Sequence, residues 1–275
     1  MNKNVGARPL CARKGLVHMN ILFIGDIIGN IGVKKVVEIL PEIKSKNNID
    51  FVIANGENSA DGMGITAKIY KDLIAAGVNV ITMGNHTWGK KEIFNIIDNK
   101  NLIRPANYPE GVVGRGFDIY KCNNKSIGVI NLIGRVDMGV LSENPFITAE
   151  KVINEIKDKT DIIIVDFHAE ATAEKIAMGY FLDGKVSAIL GTHTHVQTAD
   201  EKILEKGTAY ITDVGMTGPE KSVIGMDVEA SIKRFVTTLP ERYKVSDDKN
   251  VILSGCILKI NDETCRVETI ERINI

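Results

Sequence analysis

Gly191-Thr192-His193-Thr194-His195 sets two histidines at i and i+2. In an extended segment such a pair points to one side, roughly 6–7 Å apart along the backbone. That reach suits two metal ions held about 3.5–4 Å apart, the separation used in two-metal hydrolytic sites. Taken alone, the pair could equally be two ordinary loop histidines. What precedes it is Val186-Ser187-Ala188-Ile189-Leu190, an apolar β-branched run that predicts a buried strand ending just before the histidines. In open α/β sheets the carboxyl ends of the strands are where ligands bind.

Four further predicted strands end in groups of the same kind. The first ends in Gly25-Asp26, the second in Asn55-Gly56-Glu57-Asn58, the third in Gly84-Asn85-His86, and the strand 162–167 runs into His168. A Gly-Asp turn or a single histidine after a strand is weak on its own. Five strands delivering metal-competent side chains at one end of a sheet are a different matter, and of the five histidines only His18 falls outside the set. The expected site is therefore a metal centre.

Carboxylate, amide oxygen and imidazole, with no thiolate, suit Mn²⁺, Fe or Zn²⁺ better than an all-oxygen Mg²⁺ or Ca²⁺ cage. Two carboxylates, Asp26 and Glu57, do not neutralise two divalent ions. The remaining positive charge would stabilise a bridging hydroxide and an anionic substrate, which favours hydrolysis of phosphate esters.

The elements that must position these groups alternate along the chain. Strands are predicted at 21–25, 51–54, 78–83, 162–167, 186–190 and 209–212, and helices at 33–46 (kinked by Pro41), from Thr66 as N-cap to about 76, and at 89–98, 148–158 and 172–182. Residues 117–120 and 126–132 read as a hairpin, and two strands near 251–260 and 265–273 close the chain. Parallel βα units thus give way to antiparallel strands, which implies one α/β domain of two packed sheets flanked by helices. Residues 1–18 are basic and lack the sustained apolar stretch of a signal peptide. They are expected to be a disordered leader or tag, with the domain spanning 19–275.

With 275 residues, 44% hydrophobic and 25% charged, the composition is that of an ordinary soluble globular domain. A net charge of −1 argues against a dedicated binder of long nucleic acid. No apolar run approaches the roughly 18–20 residues of a membrane span. Cys11, Cys122, Cys256 and Cys265 have neither zinc-ribbon nor disulfide-framework spacing, so a reducing cytoplasm is the expected location. A homo-oligomer is compatible with the sequence.

Asp26, Gly56-Glu57-Asn58, Gly84-Asn85-His86, His168 and Gly191-Thr192-His193-Thr194-His195 resemble, in order, the blocks of calcineurin-like metallophosphoesterases. FIGDIIG, NGENSADG, TMGNHTW, DFHAE, GTHTHVQTAD and TDVGMTGP resemble the bacterial YmdB-like branch block for block, over about 20–273. The resemblance implies a four-layer α-β-β-α sandwich of two mixed sheets flanked by helices. It also implies phosphodiester hydrolysis, with 2′,3′-cyclic nucleotides as the characteristic substrates and two transition-metal ions as cofactors, Fe or Mn first and Zn²⁺ as a further option. It further implies that Asp26 and His195 hold one metal, that Asn85, His168 and His193 hold the other, and that Glu57 bridges them. Asn58 would join the metal shell or lie beside it, and His86 would protonate the leaving oxygen. Where many superfamily members carry a histidine two residues after the first Asp, this chain has Ile28, a loss the YmdB-like branch shares.

Several residues outside these blocks carry two readings. Gly25, Gly29 and Gly32 are expected to be turn glycines, because their spacing is not G-x-G-x-x-G. Trp88 and Tyr108 could stack a base or simply pack. Asp213 could sit behind a ligand histidine, and Arg104 and Arg135 could meet phosphate or serve structure. A nucleotidase or phosphomonoesterase of the same chemistry, or a nucleotide sensor with incidental turnover, are the alternative functions.

Overall fold

The computed structural model describes residues 18–242 and 244–275. The expectation for residues 1–17 therefore lies outside the described residues. His18 does not belong with them, because it opens the first strand, opposite Asn261, and its ring meets Glu268 at 2.8 Å. In chain order the elements are β1 His18–Ile24, β2 Asp26–Ile27, α1 Gly29–Asn47, β3 Ile49–Asn55, α2 Ala67–Ala76, β4 Val80–Thr82, β5 Leu102–Ile103, β6 Phe117–Cys122, β7 Lys125–Ile133 and α3 Pro145–Ile156. They continue with β8 Ile162–His168, α4 Thr172–Leu182, β9 Ala188–Thr192, β10 Lys202–Ile203, β11 Ala209–Ile211, β12 Met216–Pro219, α5 Val228–Thr237, β13 Val251–Asn261 and β14 Val267–Asn274.

One sheet runs β2-β12-β13-β1-β3-β4-β5, with β14 also paired to β13, and the other runs β10-β11-β9-β8-β7-β6. Strands β1, β3, β4 and β5 are mutually parallel, as are β7, β8, β9 and β11. Their carboxyl ends therefore form a common rim in each sheet.

Side-chain alternation explains why the sheets stack. On β1, Ile21 and Phe23 enter the core between the sheets, while Leu22 and Ile24 pack towards α1 and α2. On β8, Ile162 and Ile164 point between the sheets, and Ile163, Val165 and Phe167 pack under α3 and α4. Strands buried on both faces need helices on both sides, and the result is the expected four-layer α-β-β-α sandwich.

Several boundaries differ from the expected ones. The helix expected over 89–98 is only a 3₁₀ segment, Lys91–Asn95. Ile93, Ile96 and Ile97 do recur at helical spacing, and the Ile93 carbonyl accepts from both the Ile96 and the Ile97 N–H. The Ile96 backbone nevertheless leaves helical geometry at φ −131°, which ends the segment. The strand expected over 186–190 is shifted to β9, which brings Gly191 and Thr192 into the sheet. A side chain at Gly191 would collide with the Thr212 carbonyl, only 1.8 Å from a built Cβ. Helix α1 begins at Gly29, four residues before the expected start, and runs through Pro41. Thr66 caps α2 as expected, its hydroxyl accepting from the Ile69 N–H.

Candidate active site

Asp26, Glu57, Asn58, Asn85 and His86 follow strands of the first sheet, and His168, His193 and His195 come from the second. The site is thus split between the two sheets rather than gathered on one sheet edge. Contact between the two halves is direct: the His193 N–H donates to Asp26 Oδ2 at 3.1 Å. Gly84 makes the approach feasible, because a Cβ there would lie 2.4 Å from the His168 ring and 2.5 Å from Glu57 Oε2. The Gly84 carbonyl is pinned by the Thr87 and Tyr108 hydroxyls, at 2.6 and 2.9 Å.

His168 is fully buried, and its Nε2 faces three donor atoms at once: Asn85 Oδ1 at 3.0 Å, His193 Nδ1 at 3.0 Å and Glu57 Oε1 at 3.2 Å. One ring nitrogen carries at most one proton, so these contacts cannot all be hydrogen bonds. They do match a coordination shell. Donors about 2.1 Å from a metal and at right angles to one another lie about 3.0 Å apart. Glu57, His168 and His193 form a group able to hold a cation, and Asn85 Oδ1 completes it.

The other ring nitrogen, His168 Nδ1, is 2.9 Å from Thr192 Oγ1, whose hydroxyl donates to Asp166 Oδ1 at 2.7 Å. Asp166 also accepts from Asn55 Nδ2 at 3.1 Å. This chain places the proton on Nδ1 and leaves the Nε2 lone pair for the cage. Burial pushes the Asp166 carboxyl up to about 6, against the opposing pull of the His168 charge and the threonine hydroxyls. Burial also opposes charge on His168, but Glu57 and Asp26 outweigh it and raise the imidazole to about 9. His193 moves the other way, to about 3, through burial and the repulsion of His168.

A cation entering this cage must displace the second His168 proton, which is held below about pH 9. Apparent Mn²⁺ affinity should therefore rise by about tenfold per pH unit from about pH 7 and level off above about pH 9, with roughly one proton released per cage filled. Mn²⁺ titration in weakly buffered solution measures both. A pH-independent affinity with no proton release would refute this picture of His168.

The second half of the site is looser. Asp26 Oδ1 is buried with no hydrogen-bond partner, and it lies 3.8 Å from His195 Nε2. Burial raises the Asp26 carboxyl, so an unpaired oxygen there is costly unless a cation meets it. The His195 Nδ1–H donates to the Ile224 carbonyl at 2.9 Å, which directs Nε2 towards Asp26 and Asn58. Asn58 accepts from His86 Nδ1 at 2.8 Å and points its amide nitrogen at Glu57 and His195. As placed it braces the shell, and it would have to turn its carbonyl inward to act as a ligand.

His193 and His195 both have positive φ, 100° and 65°, a backbone state non-glycine residues rarely adopt. Asp213 holds the segment between them by accepting from the Thr194 N–H and hydroxyl and from the Gly215 N–H. The buried Lys175 ammonium, 2.7 Å away, balances the Asp213 charge. Asp213 therefore acts on the loop backbone and not, as expected, behind a histidine ring. Glu170 takes the outer nitrogen of His193, at 3.1 Å from Nε2.

His86 is one-third exposed, with Nδ1 turned towards Asn58 and Glu57. Burial opposes its charge, but the hydrogen bond and charge of Glu57 outweigh this and raise its pKa. Glu57, Asn58, His86, His193 and His195 line a cleft of about 440 Å³ whose rim includes Met63, Ile224 and Met226.

A family model of YmdB-like proteins matches residues 22–273. A 2′,3′-cyclic-nucleotide 2′-phosphodiesterase of Bacillus subtilis (strain 168) is 54% identical over 94% of this chain and 97% of its own length. The chain belongs to the YmdB-like family. Among solved structures, a Mycoplasma pneumoniae phosphatase superposes with a TM-score of 0.89 at 40% identity, covering 95% of this chain and 94% of that one. A hypothetical protein from Thermus thermophilus does so with a TM-score of 0.87 at 38% identity, covering 94% and 99%.

In this YmdB-like chain Arg104 and Tyr108 are tied into the structure. Arg104 is buried and donates to the carbonyls of Val113, Pro105, Val112 and Gly114, so it ties a loop rather than meeting phosphate. Arg135 is exposed, and its backbone N–H bonds Glu174. Tyr108 is buried under Gly84, and Trp88 stacks on Phe94 with ring centroids 5.5 Å apart. Gly32 lies inside α1, not in a turn; a Cβ there would come 2.3 Å from the Thr217 carbonyl. Ile28 is fully buried, packed beneath Gly218 and Gly225, so apolar contact fills the place where a ligand histidine is missing. Sequence reasoning missed Asp166, Thr192, Lys175 and Glu170. The signal was there for Asp166 and Lys175, since a charged residue among buried apolar neighbours requires a partner.

Proposed function

We propose that the chain is a metal-dependent phosphodiesterase that opens 2′,3′-cyclic nucleotides. The observation that carries this reading is the donor cage of Glu57, His168, His193 and Asn85 at the floor of a cleft lined by His86. The 54% identity with the Bacillus subtilis 2′-phosphodiesterase supports the substrate class and the 2′ ester as the bond cleaved.

In this reading Asn85, His168 and His193 hold one ion, Asp26 and His195 hold the other with Asn58 beside it, and Glu57 serves both. Two transition-metal ions, Fe or Mn first and Zn²⁺ as the further option, would supply an activated water and neutralise charge on the phosphoryl oxygens. Thr192 and Asp166 hold His168 in the tautomer that leaves Nε2 free. Ile224 does the same for His195 through its carbonyl. His86 turns Nδ1 inward, which leaves Nε2 to carry a proton to the departing ribose oxygen. A cleft of about 440 Å³ has room for a mononucleotide. The residues from His18 onward act as one metallophosphoesterase domain. Cys122, Cys256 and Cys265 are free thiols, which fits a cytoplasmic location, and no helix among the described residues is long and apolar enough to cross a membrane.

A panel of 2′,3′-cyclic, 3′,5′-cyclic and 5′-monophosphate nucleotides, assayed with added Mn²⁺, tests the reading. The 2′,3′-cyclic substrates should be turned over fastest to 3′-phosphates, and a chelator should abolish this without unfolding the protein. Faster hydrolysis of monoesters would favour the nucleotidase alternative. Tight nucleotide binding without turnover would favour a sensor.

A further inference from the structure

The turn Val223–Met226 stands at the rim of the cleft. Val223 and Met226 exchange both backbone hydrogen bonds, each 2.9 Å. The two residues between them have positive φ, 48° at Ile224 and 97° at Gly225. Those are the marks of a type I′ hairpin turn, whose first central position favours Asn, Asp or Gly. Isoleucine is β-branched, and positive φ is a genuine outlier for such a residue.

The surroundings impose this backbone. Gly225 lies so close to buried Ile28 that a Cβ would meet its Cγ2 at 2.7 Å. The Gly225 N–H bonds the Ser222 hydroxyl at 2.9 Å, and its carbonyl accepts from the Ser246 N–H at 3.0 Å. An asparagine at 224 would fit the same turn with less strain. The isoleucine must therefore be explained by what its side chain does, because strain of this kind gathers at functional positions.

That side chain is 47% exposed and lines the cleft together with Met63, which is 49% exposed. Two large apolar groups are thus left in water beside a floor of imidazole, carboxylate and amide groups. The Ile224 carbonyl meanwhile holds the His195 Nδ1–H, which fixes the distance from this apolar surface to the phosphate-facing floor. In the proposed reaction the phosphate lies against that floor, so the part of the substrate that reaches Ile224 and Met63 is one with an apolar face.

We infer that Ile224 and Met63 form the platform on which the nucleobase of the substrate lies, so that Ile224 is a specificity-determining residue. The inference rests on the proposed hydrolysis of 2′,3′-cyclic nucleotides. An apolar platform reads the face of a base and not its edge, so purines should be preferred over pyrimidines by contact area alone.

The test compares 2′,3′-cyclic AMP with methyl ribofuranoside 2,3-cyclic phosphate, which keeps the sugar and the ester but has no base. It uses Mn²⁺-loaded wild type, Ile224→Asn and Met63→Ala. In both variants the ratio of kcat/KM for the nucleotide to that for the baseless ester should fall by about tenfold, mainly through KM. The Tm of Ile224→Asn should stay at or above that of wild type, because asparagine suits the turn. An unchanged ratio in both variants overturns the inference. So does a lower Tm in Ile224→Asn with the ratio intact, since the turn would then be structural only. If the wild type hydrolyses neither ester, the proposed function itself fails and takes this inference with it.

Discussion

Replacing Glu57 with alanine should cut turnover by about 10³-fold or more and strip cations from both halves of the site. Glu57 is fully buried, and Oε1 lies within 3.2 Å of His168 Nε2, within 3.2 Å of His86 Nδ1 and within 3.0 Å of Asn58 Nδ2. Asp26 Oδ1 also lies between the two halves, 3.8 Å from His168 Nδ1 and 3.8 Å from His195 Nε2, but Glu57 is the carboxylate that approaches His168 Nε2, the nitrogen that faces the cage. Burial opposes its ionisation, yet the His168 charge and the His168 and His86 hydrogen bonds hold its pKa well below the ordinary carboxylate range. It is therefore an anion at neutral pH, ready for cations. Glu57→Gln keeps the volume but removes the charge, so it should also lose metal while preserving the circular dichroism of the folded protein. His195→Ala removes a donor from one side only and should empty mainly one position. Mn²⁺ stoichiometry of the three variants is the measurement. Loss of a single ion in Glu57→Ala, matching His195→Ala, would rule out the proposed bridge.

Much of the fold was legible because its central strands are buried on both faces and appear as unbroken apolar runs, Ile21–Ile24 and Ile162–Val165 among them. The donor residues were legible for a related reason: each follows such a run at its carboxyl end. What pattern alone did not reveal was the pairing. Asp26 and His193 are 167 residues apart, and nothing in either segment announces that their strands lie in different sheets and meet through a hydrogen bond. Short elements were also hidden. Strand β12 is Met-Thr-Gly-Pro, a weak strand sequence that pairs with β13 and β2 because its glycine lets Ile28 pack closely. Helix α5 was missed although Val228, Ile232, Phe235 and Val236 recur at helical spacing; in the structure Ile232, Phe235 and Val236 on that face are exposed rather than packed on a core. The Val223–Met226 turn is the sharpest case. A reader who expects Asn-Gly at a type I′ turn passes over Ile-Gly, and local preference fails there because the tertiary contacts with Ile28 and Ser246 prevail.

His86→Ala should retain its full metal complement and lose roughly 10²–10⁴-fold in kcat, the usual contribution of a positioned proton donor. Retention follows from geometry: the neighbouring Asn85 reaches His168 Nε2, whereas the His86 ring, which lines the cleft, turns Nδ1 to Asn58 and Glu57. The backbone bond from His86 N–H to Glu57 Oε2, at 2.8 Å, survives the substitution and keeps the carboxylate oriented. The loss should shrink on a nitrophenyl ester, whose leaving group departs without a proton. The sign of the pH effect follows from the donor role. Imidazolium is present below its pKa and lost above it, and Glu57 raises that pKa from the ordinary histidine value, so wild-type kcat should fall on the alkaline side. The variant should lack that limb. Measurements of kcat against pH for both esters, with metal content determined on the same samples, separate the alternatives. Equal losses on the two esters would make His86 an electrostatic clamp on the phosphoryl group, and loss of metal would make it a ligand; either outcome would remove it from the role of general acid.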